Sequence, residues 1–152
     1  MDVTVVPADE TQKAVLRRLL EFNAYEFSRL DGRDVDDDGR YGYPYLDHYW
    51  QEPEDRRPFL IRCDGRVAGF ALVRRGQPHT VAEFFIFPKY RRAGVGKAAA
   101  AAILRTWRGA WSTHQVPGNI AASAFWRHAI PTPYTETTDA SGTTQSFLIS
   151  RT

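Results

Sequence analysis

Residues 83 to 104 read EFFIFPKYRRAGVGKAAAAAIL, which brings one carboxylate, four cations and two glycines to the point where an apolar strand gives way to a helix. A helix N-terminus presents unpaired backbone N–H groups and about half a positive charge. Gly94 and Gly96 keep side chains away from that backbone, and Arg91, Arg92 and Lys97, with Lys89 close by, surround it with mobile cations. The pattern points to a site for a phosphate or diphosphate. The alternative is a packing turn whose glycines only permit close approach, but such a turn has no need of so many cations. Two familiar phosphate loops do not match. There is no Gly-x-x-x-x-Gly-Lys-Ser/Thr, and a dinucleotide fold would place three glycines near the first strand with an acid about 20 residues later. Beside this site stands Glu83, whose aromatic neighbours Phe84 and Phe85 favour a raised pKa through desolvation. The four histidines, at 48, 79, 114 and 128, show no paired ligand spacing, so no metal site is expected.

The elements that must position these groups follow from local patterns. VTVVPA opens as a strand. DETQKAVLRRLLEFNAYEFSRL reads as a helix, with Asp9 as its cap, Gln12 three residues on, and an apolar stripe of Val15, Leu16, Leu19, Leu20, Phe27 and Leu30. DGRDVDDDGRYGYPY is a loop with five aspartates, and YLDHYW a short helix. FLIRC and VAGFALVRR form a hairpin about Asp64-Gly65. TVAEFFIF is the next strand, ended by Pro88, and an alanine-rich helix runs from about Gly94 to Trp107. GAWSTHQV is a strand, NIAASAFWRHA a helix capped by Asn119, and YTETTDA and TTQSFLISR two closing strands. The order β-α-(α)-β-β-β-α-β-α-β-β is that of one mixed α/β domain over residues 1–152.

Composition agrees and excludes several classes. With 152 residues, 43% hydrophobic and 25% charged, the chain is an ordinary globular protein. A formal charge of +2, with Lys and Arg scattered, gives no basic face, and no nucleic-acid partner is expected. The single cysteine, Cys63, reads as a small buried hydrophobe in a reducing compartment. No apolar segment approaches the roughly 20 residues that span a bilayer, and no basic-then-apolar leader opens the chain. A cytoplasmic protein without a membrane partner is expected.

RRAGVG resembles the Arg/Gln-x-x-Gly-x-Gly/Ala signature of the GCN5-related N-acetyltransferases, the GNAT superfamily. FFIFPKY is similar to that family's fourth strand and NIAASAFW to its Asn-x-x-Ala-x-x-Phe-Tyr helix. The resemblance implies a mixed, mostly antiparallel, splayed sheet flanked by helices, with acetyl-CoA as co-substrate and a small-molecule or peptide amine as acceptor. It implies that main-chain groups of Phe84, Phe85 and Ile86 pair with the pantetheine arm like an added strand. Backbone N–H groups of Arg92, Ala93, Gly94, Val95, Gly96 and Lys97 would hold the diphosphate beside Arg91. Asn119 would contact the pantetheine, cap its helix, or do both. By analogy, the late strands would form a homodimer.

The chemistry thins out from here. Glu83 has three roles open: base, substrate contact, or structural residue. The carboxylate many family members use falls three residues earlier, at Thr80, and a shift of three reverses the strand face unless a bulge intervenes. The family's tyrosine is replaced by Trp126, whose indole N–H is no useful proton source. Trp126 is therefore expected to pack against the cofactor arm or the core, with Tyr134 and Tyr90 as substitute acids or solvent handling the protons. Asp31, Asp34, Asp36, Asp37 and Asp38, followed by Tyr41, Tyr43, Tyr45, Tyr49 and Trp50, suit a cationic acceptor such as a polyamine, an aminoglycoside-like amine or a lysine. They equally suit a solvated acidic loop before an aromatic core helix. The function expected is N-acetyl transfer to a primary amine by direct attack in a ternary complex. The alternative is a non-catalytic acyl-CoA-binding module of the same fold.

Overall fold

The first helix shows how local chemistry sets an element's start. Asp9 accepts a hydrogen bond from the N–H of Thr11 at 2.9 Å, and the Oε1 of Gln12 accepts one from the N–H of Asp9 at 3.1 Å. This capping box opens a 3-10 turn at Glu10–Gln12 that leads into α1, Lys13–Asp31. The computed structural model describes residues 1–150; Arg151, the end of the last expected strand, lies outside the described residues. The remaining helices are α2 (His48–Gln51), α3 (Val95–Ile103) and α4 (Ile120–Ala129). The strands are β1 (Val3–Pro7), β2 (Arg56–Cys63), β3 (Arg66–Arg74), β4 (His79–Ile86), β5 (Gly109–Gln115), β6 (Tyr134–Asp139) and β7 (Gly142–Ile149).

The seven strands form one sheet in the order β1-β2-β3-β4-β5-β7-β6. All pairings are antiparallel except β4 with β5. The hairpin between β2 and β3 turns on Asp64 and Gly65, both at positive φ (51° and 81°), as a two-residue turn matched to strand twist requires. Each sheet face buries its own apolar cluster. Leu16, Leu19 and Leu20 of α1 pack with Leu46, Tyr49, Leu60, Phe70, Leu72 and Phe85 on one side. Val95, Ala99, Ala100 and Ile103 of α3 and Trp126 and Ala129 of α4 pack on the other.

The alanine-rich helix is shorter than its composition predicts. It ends at Ile103 rather than Trp107. The N–H and the hydroxyl of Thr106 both reach the carbonyl of Ile103, the hydroxyl at 2.6 Å, and the N–H of Arg105 bonds only three residues back, to Ala102. A side chain that competes for helix carbonyls tightens the last turn and stops propagation.

Candidate active site

The site forms where the sheet comes apart. Strand β4 keeps its pairing to β3 as far as Ile86, and β5 keeps its pairing to β7 along its whole length. Between themselves β4 and β5 pair only at His79↔Trp111 and Thr80↔Ser112. Beyond those residues the two strands diverge, and one edge of each faces a gap. The N–H of Phe87 bonds to Ala68 on β3 at 2.8 Å, so strand alternation turns the backbone groups of Phe85 and Phe87 toward β3. Those of Phe84 and Ile86 turn toward the gap. A guest chain can therefore pair there as an added strand.

A bulge decides which face Glu83 serves. Leu72 pairs with Glu83 but Val73 with Val81, so Ala82 is the extra residue. Val81 and Phe84 accordingly pack toward α3 and α4, whereas Ala82 packs toward α1. Glu83 also faces α1, where its Oε1 accepts a hydrogen bond from the Nδ2 of Asn23 at 3.0 Å. The bulge thus restores to Glu83 the face that Thr80 has three residues earlier. Burial pushes the Glu83 carboxyl up to about 7, with Arg33 and Asn23 pulling the other way. The phenols of Tyr43 and Tyr49 are neighbours of this carboxylate, and burial raises both above the ordinary tyrosine value. The Tyr49 hydroxyl is buried and, although close to that of Tyr43, makes no well-formed hydrogen bond.

At the far end of β4 the chain passes a 3-10 turn at Pro88–Tyr90 and enters α3. Gly94 caps that helix in the left-handed region, at φ 85°, a conformation nearly free for glycine and strained for other residues. Helical bonding begins with Ala98 N–H to Gly94 O at 3.1 Å, so the N–H groups of Val95, Gly96 and Lys97 have no intrahelical partner. Ala93, Arg92 and Lys97 are exposed around them, and among the described residues neither cation joins an ion pair. Gly96 also has a packing duty. A Cβ there would lie 2.8 Å from the ring of Phe125 on α4.

Arg91 is not a free cation. Its Nε donates to the carbonyl of Ile86 at 2.7 Å, and its terminal nitrogens pair with both oxygens of Glu26 on α1. Asn119 caps α4, accepting from the N–H of Ala122 at 3.3 Å. Trp126 is core, 6% exposed, and its ring meets Phe84 and Phe125 edge-on with centroids 5.2 and 5.0 Å away. Tyr134 lies on the exposed edge strand β6, two positions beyond β5 in the sheet. Tyr90 packs with the cluster under α3 and α4, away from the Glu83 face.

The acidic loop largely serves itself. Asp31 pairs with Arg33, which holds its carboxyl below the usual range. Asp36 accepts from the N–H groups of Asp38 and Arg40 at 2.9 and 3.0 Å. Glu21 of α1 clamps the loop by accepting from the N–H groups of Tyr41 and Gly42, both at 2.8 Å. Of the aromatics that follow, Tyr49 is core, and Trp50 donates its indole N–H to Ala8 O at 3.0 Å. Among the described residues no three His, Cys, Asp or Glu gather as metal ligands, and no helix is long and apolar enough to cross a membrane.

Sequence reasoning missed Asn23, Glu26 and Phe125. For Asn23 a signal existed: it is a polar residue on the buried stripe of α1, in step with Leu16, Leu19 and Leu20. For Phe125 the signal was its place as the Phe of the Asn-x-x-Ala-x-x-Phe-Tyr pattern. Glu26 had none, because what matters about it is a partner far away in sequence.

Residues 20–129 match the model of the Acetyltransferase (GNAT) family. No curated protein sequence matches the chain. Among solved structures, an acetyltransferase from Thermus thermophilus is similar at 16% identity and TM-score 0.69, over 96% of this chain and 95% of that one. The PaiA N-acetyltransferase from Thermoplasma acidophilum, in complex with coenzyme A, is similar at 12% identity and TM-score 0.66, over 98% and 100%. An aminoglycoside acetyltransferase, also in complex with coenzyme A, is similar at 13% identity and TM-score 0.67, over 97% and 95%. At such identities these likenesses are of fold.

Proposed function

The chain belongs to the GNAT acetyltransferase family, and we propose that it transfers the acetyl group of acetyl-CoA to a primary amine, which attacks directly in a ternary complex with Glu83 as base. The observation that carries this reading is the bulge at Ala82, which turns a carboxylate of raised pKa to the α1 face beside the mouth of the gap.

The residues present suit coenzyme A. The gap-side backbone of Phe84 and Ile86 suits the amides of a pantetheine arm, and the N–H groups of Val95, Gly96 and Lys97, with Arg92, suit a diphosphate. Two of the similar solved proteins are complexes with coenzyme A. The donor supplies an activated acyl group, and the chain supplies the rest.

An alkyl ammonium has a pKa of about 10, and it must lose a proton before nitrogen can attack. Delivering that proton to an ordinary glutamate is uphill by about 8 kcal/mol. With Glu83 at about 7 the climb falls to about 4 kcal/mol. Desolvation of the carboxylate thus removes roughly half of the proton-transfer cost. As the thioester oxygen gains charge it needs a donor, and the gap-facing N–H of Ile86 or Phe84 is suitably placed to be one. Trp126 supplies no proton, and the leaving thiolate takes one from solvent.

The amine's identity is proposed only as a class. Asp31 and Asp36 are engaged within the chain, and Glu83 is the carboxylate on β4 where that strand borders the gap, so Glu83 is the one placed beside the acceptor nitrogen in this reading. The test is thiol release from acetyl-CoA over polyamines, aminoglycosides and lysyl peptides. Release above background with at least one amine, lost in Glu83→Gln, is the expected result. Tight coenzyme A binding by calorimetry without release for any amine would overturn transfer and favour an acyl-CoA-binding module.

A further inference from the structure

Helix α1 reaches the site at two points one turn apart. Asn23, 5% exposed, donates its Nδ2 to Glu83 Oε1 at 3.0 Å. Three residues on, Glu26 pairs with Arg91, which in turn holds the carbonyl of Ile86 on the gap edge. Residues three apart share a helix face, so a single helix grips both the carboxylate and the strand end that borders the gap.

We propose that Asn23 is a positioning residue for Glu83: its side-chain amide fixes one carboxylate oxygen and leaves the other free to receive the acceptor's proton. The proposal rests on Glu83 being the base. A buried asparagine amide that lost this partner would be left unsatisfied, which costs more than the bond itself gains. The two groups therefore order each other. The donated N–H also favours the charged carboxylate, opposing the burial that raises it. The other groups facing Glu83 are Arg33, from the connection after α1, and the phenols of Tyr43 and Tyr49. Arg33 is already paired with Asp31 and the phenols are neutral, so Asn23 is the one neighbour that donates a hydrogen bond to Glu83 among the described residues.

The test is a carboxyl carbon-13 NMR titration of Glu83, assigned by its loss in Glu83→Gln. In the wild type the midpoint is expected near 7, and the side-chain amide signals of Asn23 should follow it and stop doing so in Glu83→Gln. Asn23→Leu removes the donor and keeps the site dry, and the midpoint should rise by about one pH unit. At that shift ionisation alone lowers kcat/KM about fivefold at pH 7. A deficit should persist at pH 9, where Glu83 is charged in both proteins, because the carboxylate is no longer held in line. Full recovery at pH 9 would make Asn23 a modulator of ionisation only and overturn the positioning role. Asn23→Val, smaller than leucine and likewise without a donor, reads in the same direction and decides the matter should the leucine variant not fold. A midpoint unmoved or lowered in these variants would overturn the proposal while leaving Glu83 as base. If the midpoint rises but kcat/KM ignores both it and Glu83→Gln, the base reading fails and Asn23 loses any part in catalysis.

Discussion

Glu83→Gln should make the protein more stable and less active, and both effects follow from one burial. An ordinary glutamate titrates near 4.5, whereas Glu83 titrates near 7. A carboxyl whose folded pKa is raised costs the folded state nothing below the ordinary value, because it is protonated in both states. The cost grows as pH rises from 4.5 and is complete above about 7, where the folded protein must hold a buried charge. At about 1.36 kcal/mol per pH unit, the full penalty is up to about 3 kcal/mol. Glutamine keeps an oxygen for the Asn23 amide and carries no charge, so the variant escapes the penalty. For a chain of this length such a gain corresponds to a rise in Tm of roughly 5 to 10 °C. Chemical denaturation at pH 4.5 and pH 8.5 is the assay. The variant should match wild type at the lower pH and exceed it at the higher. Its kcat/KM should fall by about 10²- to 10⁴-fold, and the acidic limb of the pH profile should vanish. A variant no more stable than wild type at pH 8.5 would refute the argument from desolvation.

Three further outcomes test the surrounding structure. Gly96→Val should weaken coenzyme A binding at least tenfold by calorimetry and cost about 1–3 kcal/mol of stability, since its first side-chain atom would sit 2.8 Å from Phe125 and push that ring off Phe84; unaltered affinity would mean that this turn is only architecture. Exchanging Asp36, Asp37 and Asp38 together for Asn should leave KM unchanged for every amine turned over, because an asparagine at 36 still accepts the loop's N–H bonds; a tenfold rise for polyamines alone would instead assign these acids to the acceptor. Trp126→Phe should lower stability by about 1–2 kcal/mol and leave the basic limb of the pH profile where it was; loss of that limb would give the indole a role in proton handling.

The order of elements was legible in the sequence because each rests on short-range chemistry. Asp9 and Gln12 start α1, Asp64 and Gly65 turn the β2–β3 hairpin, Pro88 ends β4, and Asn119 caps α4. Gly94 before a run of alanines likewise announced the start of α3, where the structure places it as a left-handed cap. Composition extends α3 past its end at Ile103 because it does not reveal that Thr106 competes for the carbonyl of Ile103. What the sequence left open was the face and the company of each functional side chain. Whether Glu83 shares a face with Thr80 depends on the register of β4 against β3, and the extra residue at Ala82 exists only in that pairing. Asn23 meets Glu83 across 60 positions, and Glu26 meets Arg91 across 65. Those meetings required α1 to lie on the sheet, and so did the dry surroundings that raise Glu83. A raised pKa is a property of what excludes water from a group, and that belongs to the packed fold.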